Sequence, residues 1–193
     1  MISDEFRQRY LMAPGAEGVF EARAIVFDGS DDYHHRINDP ALDIDERCIL
    51  VMRGAGPLGW PGSAEVVNMQ PPDALLQRGI QALPTLGDGR QSGTSDSPSI
   101  LNAAPESAAG GGLSWLRTGD IIRIDLELGR CDALVTEAEI AERRAAGAPA
   151  IPPSYTPWEE LYREKVGQMD EGAVLEMALK YRRISERTPR HNH

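Results

Sequence analysis

Two short stretches hold the residue types best suited to chemistry. GAGPLGWPGSAE, at 54–65, ends in a carboxylate, Glu65. It is too dense in glycine and proline to be a regular element. Two readings of it stand together: a long connection that needs positive φ angles, or a loop folded closely over a ligand with Glu65 at its end. It lacks the lysine of a phosphate-binding loop, and no convincing helix follows its glycines. The second stretch, DGRQSGTS at 88–95, sets Ser92 and Thr94 on either side of a glycine, behind an apolar run. It is not the GxSxG elbow of hydrolases. Serine is a weak base unless a nearby metal ion or cation depresses its pKa. A turn serine and a metal-assisted base therefore both fit Ser92.

Other candidates say less. His34 and His35 are adjacent in sequence, so their side chains point different ways and do not suit one shared metal. His191 and His193 stand at the extreme C-terminus, where a frayed tail is the plain reading. Trp60, Trp115 and Trp158 read as packing residues. Cys48 and Cys131 form no CxxC-type pair, which suits free thiols in a cytoplasmic protein, with a disulfide or an intermolecular metal contact as the alternative.

Composition narrows the class. The 193 residues carry 20 Lys plus Arg against 30 Asp plus Glu, a formal charge of -10. Such a chain is a poor binder of polyanions, and without a basic run nucleic acid is not an expected partner. No stretch of about 18 apolar residues is present, so no membrane span is expected. The opening MISDEFRQRY lacks the apolar centre of a signal peptide, which again points to the cytoplasm.

The elements that must position these residues are legible in outline. FEARAIVF (20–27) and CILVMRG (48–54) read as buried strands. A turn-rich stretch and a short helix lie between them. PPDALLQRGI (71–80) reads as a short helix, and ALPTLG (82–87) as an edge or irregular strand interrupted by Pro84. PESAA offers a helical turn. LSWLRTGDIIRIDLELGRCDALVT (113–136) divides into three strand segments, of which IIRIDLEL alternates as a half-buried strand does. TEAEIAERRAAG (136–147) is a helix with a Thr136/Glu139 capping box and Gly147 at its end. After the proline-rich APAIPPS, Thr156, Pro157 and Glu159 start another helix. The expected organisation is an arm over 1–19, a central domain over 20–147, and a linker, helical extension and tail over 148–193. The expected fold is α+β: a β-barrel-like, swivelling β/β/α domain with peripheral helices and a C-terminal helical extension.

Read together and in order, GPLGWPGSAEVVNMQPP, GDGRQSGTSDSPSILNAAPESAAGGG, LRTGDIIRIDL and EAEIAERRA closely resemble the C-terminal domain of the dihydroxy-acid/phosphogluconate dehydratase family. SGTS and AEVVNM are most similar to the sugar-acid dehydratases, of arabonate or xylonate type. The resemblance covers roughly residues 20–146 and more weakly the tail. It implies a hydro-lyase that turns a 2,3-dihydroxy sugar acid into a 2-keto-3-deoxy acid. It also implies Mg²⁺ and an iron–sulfur cluster in the complete enzyme, with the cluster cysteines on a larger N-terminal domain. By the same resemblance Glu65 completes the Mg²⁺ site, Ser92 is the base in its alkoxide form, and Thr94 contacts substrate. The ending PRHNH is similar to tails that reach back towards the site, so His191 or His193 could touch substrate. The chain by itself is then expected to be silent, with the N-terminal domain or subunit as its partner and a homo-oligomer as its assembly. A non-catalytic binding or regulatory module that keeps this fold is the alternative.

Overall fold

The computed structural model describes residues 4, 7–12, 18–92, 98–181 and 183. Among these residues six strands form one mixed sheet: β1 (Val19–Asp28), β2 (Cys48–Arg53), β3 (Thr85–Gly87), β4 (Ser99–Ile100), β5 (Ile121–Asp125) and β6 (Arg130–Ala133). Their spatial order is β4-β3-β2-β1-β5-β6. The pairs β1/β2, β2/β3 and β3/β4 are parallel, whereas β1/β5 and β5/β6 are antiparallel. Among the described residues four α-helices accompany the sheet: α1 (Gly29–Arg36), α2 (Asp73–Gln77), α3 (Glu137–Ala145) and α4 (Pro157–Lys165). No helix among the described residues is long and apolar enough to cross a membrane.

The central strands are apolar without alternation because both faces of the sheet are covered. Phe20, Ala22, Ala24 and Val26 of β1, with Ile49 and Val51 of β2, pack on one side against Leu113, Leu116, Ile122 and Ile124. Ile25 and Phe27, with Leu50 and Met52, face the other side, against Met69, Leu75 and Leu83. β5 alternates as expected: Ile122 and Ile124 are buried while Ile121 and Arg123 are exposed.

The α+β character holds, and three finer expectations change. The sheet curls as a half-barrel and, among the described residues, does not close: β4 and β6 are its two edges. β3 is an inner strand, not an edge. Pro84 lies just before it, where its missing N–H costs no ladder bond, while its carbonyl accepts from Leu50 N at 3.0 Å. LSWLR does not form a strand; Gly112–Ser114 make a 3₁₀ turn. The cause is Arg53, whose guanidinium draws in the carbonyls of Leu113, Ser114 and Leu116 at 3.0–3.2 Å.

Capping separates the two long helices. Thr156 and Glu159 form the complete reciprocal box at α4. At α3, Thr136 accepts from Glu139 N, but the Glu139 carboxylate turns to Arg143 instead, 2.6 Å away. Trp60 and Trp158 are exposed, contrary to the packing role expected of them, and only Trp115 packs against the core.

Candidate functional site

The parallel strands β1, β2 and β3 end on the same side of the sheet, and the two chemistry-bearing stretches leave from those ends. In open α/β sheets ligands collect beyond the carboxyl ends of the strands. Here that rim is held by two fully buried carboxylates, Asp88 and Glu106. Asp88 accepts from Ala55 N (2.9 Å), Gly54 N (3.2 Å), Ser107 N (2.9 Å) and Ser107 Oγ (2.6 Å). Glu106 accepts from Leu58 N at 2.9 and 3.0 Å, Gly59 N at 3.0 Å and Gln168 Nε2 at 2.9 Å. A carboxylate can be withdrawn from water when N–H and O–H donors replace it, and these charge-assisted bonds fix the loops that supply them.

The segments of Glu65 and Ser92 run side by side. Arg90 N donates to Ala64 O (2.9 Å) and Val67 N donates to Arg90 O (3.1 Å). The Arg90 side chain folds onto the same loop, giving Nε to Ser63 O at 2.6 Å and Nη2 to Gly62 O at 3.1 Å. Gly89 permits this approach, because a Cβ there would stand 2.8 Å from the Ala55 Cβ and 2.9 Å from Ala64 O. Glu65 is thus exposed at the rim, and half-buried Ser92 lies two residues past Arg90 on the adjoining segment. Thr94, His191 and His193 lie outside the described residues. His34 and His35 sit on α1. A cleft of about 500 Å³ opens beside the glycine-rich loop, between Asp28, Arg53, Trp60, Tyr155, Glu159 and Arg163. Neither Glu65 nor Ser92 lines it.

An exposed carboxylate such as Glu65 suits a hard divalent cation as one oxygen ligand. Among the described residues no three His, Cys, Asp or Glu side chains gather to complete such a site. The thiols do not suit an iron–sulfur cluster. Cys48 is buried among Arg23 and Asp45, and that burial pushes its thiol up to about 11, away from the ligating thiolate. Cys131 is on the far strand β6.

Glu65 and Ser92 are expected from the sequence; the groups that hold the glycine-rich loop, namely Asp88, Glu106, Arg163 and Gln168, are not. Only Asp88 carried a usable signal: an aspartate set between two glycines directly after a buried strand. Glu106, in PES, resembles any solvated glutamate, and its partners lie 47, 48 and 62 residues away in sequence.

The sequence has counterparts. Residues 12–173 match the family model described as dihydroxy-acid/6-phosphogluconate dehydratase, C-terminal. The chain belongs to the dihydroxy-acid/6-phosphogluconate dehydratase family, in its C-terminal part. It is 74% identical to D-xylonate dehydratase of Caulobacter vibrioides over 193 residues, all of this chain and 32% of that protein. It is 39% identical to L-arabinonate dehydratase of Rhizobium leguminosarum over 82% of the chain and 27% of that protein. With dihydroxy-acid dehydratase of Clostridium kluyveri the identity is 33%, over 81% and 28%. The chain therefore spans about a third of the length of these relatives.

Proposed function

We propose that this chain is the C-terminal part of a sugar-acid dehydratase and that it closes, as a swivelling domain, over an N-terminal part carrying the iron–sulfur cluster. The reaction is loss of water from a 2,3-dihydroxy sugar acid to give a 2-keto-3-deoxy acid, in the cytoplasm. One observation carries this reading: the Arg90 backbone bonds that set the Glu65 and Ser92 segments against each other on one rim. The 74% identity to D-xylonate dehydratase supports the sugar-acid class.

The rim's own groups divide the work. Glu65 gives one oxygen to Mg²⁺, whose other ligands come from outside the described residues. When bound, that ion would acidify the C2 proton by drawing charge from the substrate carboxylate and C2 hydroxyl. Ser92 Oγ takes the C2 proton, as a base of suitably lowered pKa can. The electron pair left on C2 forms the C2–C3 double bond as the C3 hydroxide departs, and the enol product tautomerises to the 2-keto acid. The hydroxide and the C2 proton leave as one water, which returns Ser92 to its starting state. Thr94, His191 and His193 are further substrate contacts in this proposal.

The test is reconstitution. The chain alone, and the chain joined to the N-terminal part of a sugar-acid dehydratase with its cluster loaded, are offered D-xylonate, L-arabinonate and further aldonates, and 2-keto acid is measured. The expected result is silence from the chain alone and turnover from the joined protein, lost in Ser92→Ala. Turnover by the chain alone would overturn the shared site, and a joined protein that stays silent on every aldonate would overturn the substrate class.

A further inference from the structure

The glycine-rich loop that ends in Glu65 is gripped by residues far along the chain. Arg163, on α4, donates Nε to Leu58 O at 2.8 Å and Nη2 to Gly59 O at 3.4 Å. Glu106 takes the amides of the same two residues, so Leu58 and Gly59 are held by their N–H groups on one side and their carbonyls on the other. Gln168 completes the grip. Its Oε1 accepts from Glu106 N at 2.8 Å, and its Nε2 donates to Glu106 Oε1 at 2.9 Å. Beyond α4, Ser63 Oγ donates to Met169 Sδ at 3.4 Å. The loop lies directly on the carboxylate: a Cβ at Gly56 would stand 2.5 Å from Glu106 Oε2.

The arrangement has the economy of a device rather than a chance contact. The third arm of the Arg163 guanidinium, Nη1, donates to Ser154 Oγ at 2.7 Å, so the fork is used on all three nitrogens. The loop has little regular bonding of its own; within it, Trp60 N reaches Gly56 O and Ser63 N reaches Trp60 O. Its course between Gly54 and Glu65 is therefore set from outside. Asp88 and Arg90 fix its two ends, and Glu106, Gln168 and Arg163 fix its middle.

We propose that Arg163 and Gln168 are positioning residues for Glu65. They act through Leu58, Gly59 and Glu106, and they set the loop so that the Glu65 carboxylate is presented to its divalent cation. The inference rests on the reading of Glu65 as a cation ligand given above. It gives the helical segment after residue 156 a part in the site.

Two measurements separate the grip from its consequence. The first uses this chain alone and follows hydrogen exchange in wild type, Arg163→Met and Gln168→Leu. The amides of Leu58 and Gly59 are expected to exchange about tenfold faster in either variant, the scale of one lost charge-assisted bond, while those of β1 and β2 keep their rates. Unchanged exchange at Leu58 and Gly59 in both variants would overturn the grip. The second uses the chain joined to an N-terminal dehydratase part and titrates Mn²⁺ by electron paramagnetic resonance, which needs no turnover. Arg163→Met is expected to weaken Mn²⁺ binding about tenfold, with Arg163→Lys, which keeps one donor, in between. If Glu65→Gln weakens Mn²⁺ binding and Arg163→Met and Gln168→Leu do not, the positioning role is wrong. If Glu65→Gln leaves Mn²⁺ binding unchanged, the ligand role of Glu65 is wrong, and the exchange measurement alone judges the grip.

Discussion

Asp88 receives four donors and meets no solvent, so its removal should be felt throughout the rim. Asp88→Asn keeps the shape but turns an N–H₂ towards backbone amides that need an acceptor. Urea unfolding of this variant is expected to show a loss of about 2–4 kcal/mol, because buried donors left unpaired cost more than the bond itself was worth. Cys48 makes a second prediction at this scale. Buried beside Asp45, its thiol is raised to about 11. The protonated thiol is therefore favoured in the folded state. Its contribution to stability is full below the ordinary thiol pKa of about 8.5 and is lost as pH rises through the folded value. Unfolding measured at increasing alkaline pH should show a steeper decline for wild type than for Cys48→Ala. A thiol reagent at neutral pH should leave Cys48 unmodified until the protein unfolds.

At the scale of elements, α4 matters because it carries Arg163. Its start is fixed by the Thr156–Glu159 box. Thr156→Ala is expected to destabilise that helix by about 1 kcal/mol and, with it, to speed exchange at Leu58 and Gly59. The matching change Thr136→Ala on α3 should leave those amides alone, since α3 does not touch the loop's grip. Most elements were legible from sequence. β1 and β2 stood out as apolar runs, β5 by its alternation, and α3 and α4 by their N-caps. What was not legible turned on single long-range partners. Arg53 gathers three carbonyls from LSWL and so removes a strand that local composition favours. Glu139 prefers Arg143 to its own helix N-terminus, and so half of an expected box is absent. The site divided in the same way. Glu65 and Ser92 carry motifs; Glu106, Gln168 and Arg163 carry none, because their meaning lies in a meeting that spacing does not reveal.

At the scale of the whole molecule, α3 is pinned to the sheet by one largely buried ion pair. Arg143 reaches Asp120, just before β5, at 2.5 and 2.9 Å, and its own side chain is only 7% exposed. Arg143→Met would strand the Asp120 charge, and thermal or urea unfolding should register a loss of about 3–5 kcal/mol. The surface adds an expectation about assembly. Tyr155, Trp158, Met177, Leu179 and Tyr181 are all more than half or about half exposed, along one stretch of chain. Exposed apolar area of this kind marks a surface that seeks cover. Size-exclusion chromatography of the isolated chain should show association that grows with concentration; a monomer at every concentration would count against it.

β1 is where the sheet changes from parallel to antiparallel, and this has a consequence for how the chain is made. Its parallel neighbour follows soon, with Arg23 beside Cys48, but on its other edge Arg23 meets Ile121, about a hundred residues later. During synthesis β1, β2 and β3 can pair while one flank of β1 still waits for a strand not yet made, and the loop between Gly54 and Glu65 waits longer still, for Arg163 and Gln168. Closing so distant a pairing is slow, on the scale of milliseconds to seconds. The nascent protein thus passes through a stage with an apolar strand edge bare and the glycine-rich loop not yet gripped, the stage at which it is most open to aggregation and to chaperone capture.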